Sequence, residues 1–145
     1  MQSSEAVSAL DAKRDAEAQI ARAANCPPWR HAAFGLLLGG LVASPAFEMT
    51  MRFGILAVIL CCIPLIIHSD RKRMGMFING YRRGKTRVVA VGVLAVEMSL
   101  YAASVVRALD HADRSTPLLL GALGMLIGIA GSLLWQRVFV REMGA

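Results

Sequence analysis

The chain has 145 residues, of which 56% are hydrophobic and 18% are charged, and its mean hydropathy is +0.53. A composition this apolar excludes an ordinary soluble domain of the same length and predicts a membrane protein. The formal net charge of +6 is spread unevenly between the apolar segments. We interpret this charge as a signal of membrane topology, and we predict no binding to nucleic acid.

The first predicted element is a helix over residues 3–26, which are rich in Ala and in charged residues. A serine at its start can cap the helix, and Pro27-Pro28 ends it because proline cannot continue a helix. Its weak apolar stripe favours a solvated helix over one that docks on a partner. We assign residues 1–28 to a cytoplasmic segment that contains this helix.

Four apolar segments follow, each close to the length of about 20 residues with which a helix crosses a hydrocarbon core. They cover residues 29–47, 51–68, 88–109 and 117–135. Backbone amides inside a bilayer must be satisfied within their own segment, so each segment is expected to be helical. The predicted fold class is therefore all-α, a polytopic membrane protein. It has four transmembrane helices in a compact bundle over residues 29–137, in addition to the N-terminal helix.

The distribution of Lys and Arg predicts the orientation of the spans. Thirteen of the 16 Lys and Arg residues lie in the N-terminal segment up to Arg30, in the loop 69–87 and in the tail from Arg137 onward, all on one side of the membrane, and three lie on the other side. Positive charge is enriched on the cytoplasmic side of membrane proteins. We therefore expect a multi-pass protein of a bacterial-type inner (plasma) membrane, with both termini in the cytoplasm.

Two of the spans carry glycine stripes at helical spacing. Gly35 and Gly39 lie four residues apart in the first span. The fourth span has glycines at intervals of three and four residues, namely Gly121, Gly124, Gly128 and Gly131. Small residues let helix backbones approach closely inside a membrane. The stripes predict close helix packing, either within one chain or between subunits, and two separate stripes on four helices favour a homo-oligomer.

The loop 69–87 combines a turn signal with a cluster of cations. Asn79-Gly80 is a two-residue hairpin signal because both residues tolerate a positive φ. Its cations are Arg71, Lys72, Arg73, Arg82, Arg83, Lys85 and Arg87. Such juxtamembrane clusters attract anionic lipid headgroups, by about 1 kcal/mol for each cation. The loop is therefore predicted to bind anionic lipid, and the alternative is a specific ligand that carries phosphate.

Glu97 is an ionisable residue in the middle of the third predicted span. A carboxylate at this depth costs at least about 2.5 kcal/mol on insertion scales and faces the bundle or a wet cavity. Tyr101 and Ser104 follow at +4 and +7, which predicts a polar stripe on one face of the helix. The sequence places no counter-charge at this depth. Three interpretations remain: hydrogen bonding of the neutral acid, a water or cationic ligand, or contact with another protein.

No motif of a hydrolase, a metalloprotease or a lipid phosphotransferase is found, so we predict that the chain is not an enzyme. Cys61 and Cys62 are adjacent in the second span and point to different helix faces, which indicates packing. His31 and His68 fall at the cytoplasmic ends of two spans, where a pair of haem ligands is conceivable. Lone histidines are common at such depths, and no cofactor or metal is predicted.

The leading hypothesis is a small, non-catalytic membrane protein that acts by homo-oligomerisation or by binding a membrane partner, with its basic loop on anionic lipid. The alternative is a small transporter or channel that uses Glu97 for proton or cation coupling. Substrate, partner and pathway are not encoded in any motif of the chain.

Overall fold

A computed structural model describes residues 2–23, 26–74, 84–110 and 113–142 of the chain. These residues form five α-helices and no strand, as the all-α prediction requires. The helices are α1 (Gln2–Ala23), α2 (Pro28–Ala43), α3 (Met49–Met74), α4 (Lys85–Asp110) and α5 (Ser115–Glu142). A 3-10 turn, Ser44–Ala46, continues α2.

Prolines set both ends of α2. Pro28 occupies its first position, where the missing N–H has no helical partner in any case. Pro45 cannot extend the helix, and the chain tightens into the 3-10 turn instead. The backbone N–H of Ser44 donates to the carbonyl of Leu41, and the Ser44 hydroxyl donates to the same oxygen at 2.8 Å. The helix thus ends after 16 residues.

Three of the described helices, α3, α4 and α5, are long and apolar enough to cross a membrane, whereas four spans were predicted. The exception is the first predicted span, 29–47. Its helix, α2, has 16 residues, which corresponds to about 24 Å of helical rise against a hydrocarbon core of about 30 Å. The predicted span continued to residue 47 because the sequence stays mostly apolar up to that point, although the α-helix itself ends at Ala43, before Pro45.

The three long helices extend well beyond their predicted apolar segments. Helix α3 continues to Met74, α4 begins at Lys85 and α5 continues to Glu142. Parts of the predicted loop 69–87 and tail 138–145 are therefore helical. No Gly or Pro interrupts these extensions, and the backbone gains its helical hydrogen bonds whether or not lipid surrounds it.

Helix α5 lies at the centre of the molecule and packs along both α2 and α4, whereas α3 makes few contacts with the rest. Among the side chains described in α3, only that of Asp70 is buried. The apolar side chains of α3 are consequently half-buried on one face of the helix and exposed on the others. Buried residues of α2, α4 and α5 line one continuous contact region, and Glu97 lies within it.

Candidate functional site: a buried carboxyl among three helices

The two predicted glycine stripes lie against each other. A Cβ added to Gly39 would lie 2.6 Å from the carbonyl oxygen of Gly121, and one added to Gly128 would lie 3.0 Å from the Cα of Gly35. We call these four residues the glycine seam. Backbones can approach this closely only where no side chain stands between them. Close packing of the stripes therefore takes place between α2 and α5 of one chain.

The other two glycines of α5 face α4 as well. A Cβ on Gly131 would clash with the side chain of Val93, and one on Gly124 would lie 2.9 Å from Oε2 of Glu97. The same position at Gly124 is 3.3 Å from a methyl carbon of Val42 in α2. Gly124 thus provides the space that the Glu97 carboxyl occupies, between α5 and the end of α2.

Glu97 is almost completely buried, with 2% of its surface exposed. It lies near the middle of α4, roughly 18 Å along the helix axis from Lys85. Neither of its carboxyl oxygens has a hydrogen-bond partner among the described residues. Buried polar groups are nearly always hydrogen-bonded, and an isolated buried charge is very costly. A proton, a cation or another partner is therefore expected to bind this carboxyl, because its burial without one would be costly.

Tyr101 and Ser104 share the face of Glu97, but each has a partner of its own. The buried Ser104 hydroxyl donates to the carbonyl oxygen of Val42 at 2.6 Å. This bond ties α4 to the last turn of α2, where helical carbonyls lack partners. The Tyr101 hydroxyl accepts a hydrogen bond from Nη2 of Arg52 at 2.5 Å. The predicted polar stripe thus consists of two satisfied residues and one that is not.

Arg52 is a residue of the site that the sequence interpretation did not include. It belongs to the first turn of α3, and its guanidinium carbon also lies 5.9 Å from the centre of the Tyr101 ring. Because Tyr101 is one helical turn from Glu97 on the same face of α4, this contact places a cation on that face. The available signal was its isolation: Arg52 is the only Lys or Arg between Arg30 and Arg71.

The basic residues predicted to bind lipid are divided between helices and a segment outside the described residues. Arg71, Lys72 and Arg73 lie in the last turns of α3, while Lys85 and Arg87 lie in the first turn of α4. Among them, Arg71, Lys72, Lys85 and Arg87 have exposed side chains. Arg82, Arg83 and the predicted Asn79-Gly80 hairpin lie outside the described residues.

A carboxylate near the end of α5 caps the N-terminus of α4. Oε1 of Glu142 accepts a hydrogen bond from the backbone N–H of Lys85 at 2.5 Å. A carboxylate is favourable at a helix N-terminus, where N–H groups lack partners. Gly84, with φ 144°, precedes the helix in a backbone conformation that other residues rarely adopt, and a Cβ there would lie 2.7 Å from Oε2 of Glu142.

A partly buried ion pair joins the start of α2 to the end of α3. Nη2 of Arg30 lies 2.8 Å from Oδ2 of Asp70, and Nε of Arg30 donates to the same oxygen at 2.9 Å. Asp70 is buried, and Arg30 is partly exposed. Arg30 also donates to the Cys26 sulfur at 3.1 Å. This pair attaches the extended part of α3 to the bundle.

The residues considered for cofactor chemistry lie on different helices. Nδ1 of His31 in α2 is hydrogen-bonded to the Ser132 hydroxyl at 2.8 Å, whereas His68 is exposed on α3. Cys61 is exposed and Cys62 half-buried, and both are free thiols. No group of three potential metal ligands occurs in the part of the chain that the structure describes.

Comparison of the chain with models of protein families, with curated proteins and with solved structures gives no match. The lengths and apolar composition of α3, α4 and α5 suggest a multi-pass membrane protein. The buried carboxyl of Glu97, with Tyr101 and Arg52 nearby, is the candidate functional site.

Proposed function

We propose that the protein is a small multi-pass membrane protein that takes up and releases a proton at Glu97. The observation that carries this proposal is the burial of both Glu97 oxygens without a hydrogen-bond partner among the described residues. An intramembrane acid of this kind costs stability and marks ion pathways and proton relays in membrane proteins. The chemical step is simple: a carboxylate oxygen binds one proton and later returns it.

The contact between Arg52 and Tyr101 supports a proton as the ligand. A tyrosine hydroxyl can transfer a proton, whereas it offers a metal cation only one neutral oxygen ligand. The Tyr101 oxygen accepts a hydrogen bond from Arg52 and so keeps its own hydrogen free to donate. Residues four apart on a helix are neighbours, so this hydroxyl can pass a proton toward Glu97.

The proposal includes α2 as a fourth membrane segment. Its 16 α-helical residues and the three of the 3-10 turn together rise about 30 Å, which equals the thickness of a hydrocarbon core. The glycine seam lies between α2 and α5, and α5 is long enough to span. With four segments both termini lie on one side, and the excess of Lys and Arg there indicates the cytoplasm.

Proton flux tests the proposal directly. The full-length protein is reconstituted into phosphatidylcholine vesicles that contain a pH-sensitive dye, and a potassium diffusion potential is applied. We expect Glu97→Gln to abolish the flux because an amide has the size of the carboxyl but cannot bind and release a proton near neutral pH. Ser99→Ala is the matched control, since Ser99 lies on the exposed side of the same helix.

A flux that persists in Glu97→Gln would overturn the proposal. If no flux is seen in any protein, infrared difference spectroscopy between acidic and alkaline buffer decides whether Glu97 titrates at all. A carboxyl band that is lost in Glu97→Gln supports proton binding, and its absence from the unmodified protein contradicts it. Flux of sodium or potassium that depends on Glu97 would replace the proton with a metal cation as the ligand.

Assembly with another copy or with a membrane partner is the second candidate function. Helix α3 makes few contacts with the other described helices, so most of its surface is available to another copy or to a membrane partner. Native mass spectrometry in mild detergent distinguishes the two. A discrete multimer that survives Glu97→Gln supports assembly, and a monomer at all concentrations contradicts it.

Binding of anionic lipid by the basic ends of α3 and α4 accompanies either candidate. Lys72 and Arg87 are exposed on neighbouring ends of these helices, where the positive-inside rule places the inner leaflet. Phosphatidylglycerol is therefore expected to bind the protein more tightly than phosphatidylcholine, by about fivefold for each cation engaged.

A further inference from the structure

A groove of about 610 Å³ opens between the beginning of α2 and the last part of α5. Its walls include apolar side chains of Ile129, Leu133 and Val140, and polar side chains of His31, Arg137 and Arg141. The groove lies away from Glu97, at the end of the molecule where α2 begins and α5 ends. It plays no part in the function proposed for the buried carboxyl.

The face of α5 that lines the groove changes in character along the helix. Ile129, Leu133, Arg137 and Arg141 recur every four residues and so lie on one face. The first two are apolar and lie toward the middle of the molecule, and the last two are basic and lie near its end. This face extends roughly 18 Å by helical rise, which is comparable with half the thickness of a bilayer.

The charged side chains that line the groove are basic, and the carboxylate of the neighbouring Glu142 already accepts a hydrogen bond elsewhere. The described residues that line it include no Asp or Glu. Glu142 follows Arg141 in the chain, but its carboxylate is bound to the start of α4. Arg30, the nearest basic residue of α2 in sequence, is paired with Asp70. The two arginines of α5 are thus exposed to the groove without an acid of the described chain among its lining residues.

We propose that this groove binds one anionic phospholipid of the inner leaflet. The phosphate lies between the guanidinium groups of Arg137 and Arg141, which match phosphate oxygens in geometry as well as charge. The first part of an acyl chain lies along Ile129 and Leu133. A free phosphate would use only the basic end, whereas an acyl chain explains why an apolar wall continues from it. None of the described residues of the loop 69–87 lines the groove.

Lipid binding to matched variants tests the groove. Full-length protein in an uncharged detergent is titrated with dioleoyl-phosphatidylglycerol, and bound lipid is measured by native mass spectrometry. We expect Arg137→Gln with Arg141→Gln to weaken the tightest binding step by roughly thirtyfold, or about fivefold for each arginine. The pair Arg107→Gln and Arg114→Gln removes the same charge from exposed positions at the opposite end and should leave this step unchanged.

Three further arms test the charge, the headgroup and the acyl chain separately. Arg137→Lys with Arg141→Lys retains the charge but loses the paired donors of the guanidinium groups, so it should bind the lipid more tightly than the double Gln variant and less tightly than the unmodified protein. Dioleoyl-phosphatidylcholine should bind more weakly to the unmodified protein than phosphatidylglycerol does. Inorganic phosphate should not displace the lipid, because it lacks the acyl contacts with the apolar wall. If the double Gln variant fails to fold, Arg141→Gln alone near the end of α5 should still lose about fivefold.

The proposal is overturned if the double Gln variant binds phosphatidylglycerol as the unmodified protein does. It is also overturned if the control pair loses as much, since the effect would then reflect net charge. Displacement by millimolar inorganic phosphate would assign the groove to a soluble anion. None of these results bears on proton flux at Glu97, so the two proposals can fail independently.

Discussion

Helices α2 and α5 are held together along the glycine seam, whereas α3 is joined to the other helices by polar contacts near its two ends. At one end, Arg52 of α3 reaches Tyr101 of α4. At the other, Asp70 of α3 pairs with Arg30 of α2. Between these contacts, no apolar side chain of α3 is buried, and many of them are exposed.

The difference follows from the nature of a lipid solvent. Leu and Val lose little by facing lipid tails, which are as apolar as they are, so a helix rich in these residues gains little by packing. Glycines permit close backbone contact, and polar side chains seek partners because lipid offers none. We therefore expect substitutions in the glycine seam to be more damaging than equal changes on α3.

Gly39→Ala should have the largest effect. The new Cβ would lie 2.6 Å from a backbone oxygen and 2.7 Å from the Met125 Cβ, so α2 and α5 must separate. Overpacking of this kind costs about 3 kcal/mol of unfolding free energy. Gly40→Ala is the control, because nothing lies within 4 Å of its added Cβ. Unfolding in mixed micelles with increasing SDS measures both, and equal losses would contradict the importance of the seam.

Asp70→Asn should cause the next largest loss in unfolding free energy, because it weakens the contact between the end of α3 and α2. It leaves the Arg30 guanidinium without its counter-charge, which costs several kcal/mol at a fully buried site. Because Arg30 is 23% exposed, we expect a loss of about 2 kcal/mol. A double-mutant cycle with Arg30→Gln measures the coupling. Lys72→Gln, an exposed position on the same helix, is the control, and a similar loss there would contradict the prediction.

Glu97→Met should stabilise the packed region by about 1–2 kcal/mol, because it removes a buried polar group that lacks partners and keeps a side chain of similar length. A gain in stability accompanied by a loss of proton flux would show that the acid is retained for function. Ser104→Ala, on the same face of α4, should instead lose stability because the Val42 carbonyl loses its donor. A loss in Glu97→Met would indicate a partner for the carboxyl.

The smallest change in stability is expected from a substitution of Asp113, in the turn before α5. Ser115 and Thr116 donate hydrogen bonds to Asp113, and these bonds hold the pKa of that carboxyl well below its ordinary value. Since the pKa is lower in the folded chain, the stabilisation is present above about pH 4 and is lost as the pH falls through the folded value. Thermal unfolding between pH 6 and pH 3 should therefore change less in Asp113→Ala than in the unmodified protein.

The sequence was sufficient for the all-α class, for the approximate positions of the three long spans and for the isolation of Glu97. Those features depend on apolar runs and helical spacing, which one chain displays by itself. The ends of α3 and α5 were missed because charged residues such as Asp70 and Glu142 become stable in helices through partners far away in sequence. Spacing likewise showed that the glycines form stripes, but it did not show that the stripes face each other.

Arg52 illustrates the same limit at the candidate site. Its contact with Tyr101 joins residues that are 49 positions apart, and neither residue alone signals the other. Local patterns describe which face a side chain occupies on its own helix. They do not describe which helix lies opposite, because that depends on how all the helices pack together.

The glycine seam also sets the order in which the protein can be assembled during its synthesis. Gly39 precedes Gly121 by roughly 80 residues, so the ribosome, at about 5–20 residues per second, adds Gly121 some 4–16 seconds after Gly39. During this interval α2 lacks its main neighbour, and the intervening α3 offers it little surface. Helix α2 is therefore without its main packing partner, in the membrane or at the insertion machinery, until α5 has been synthesised.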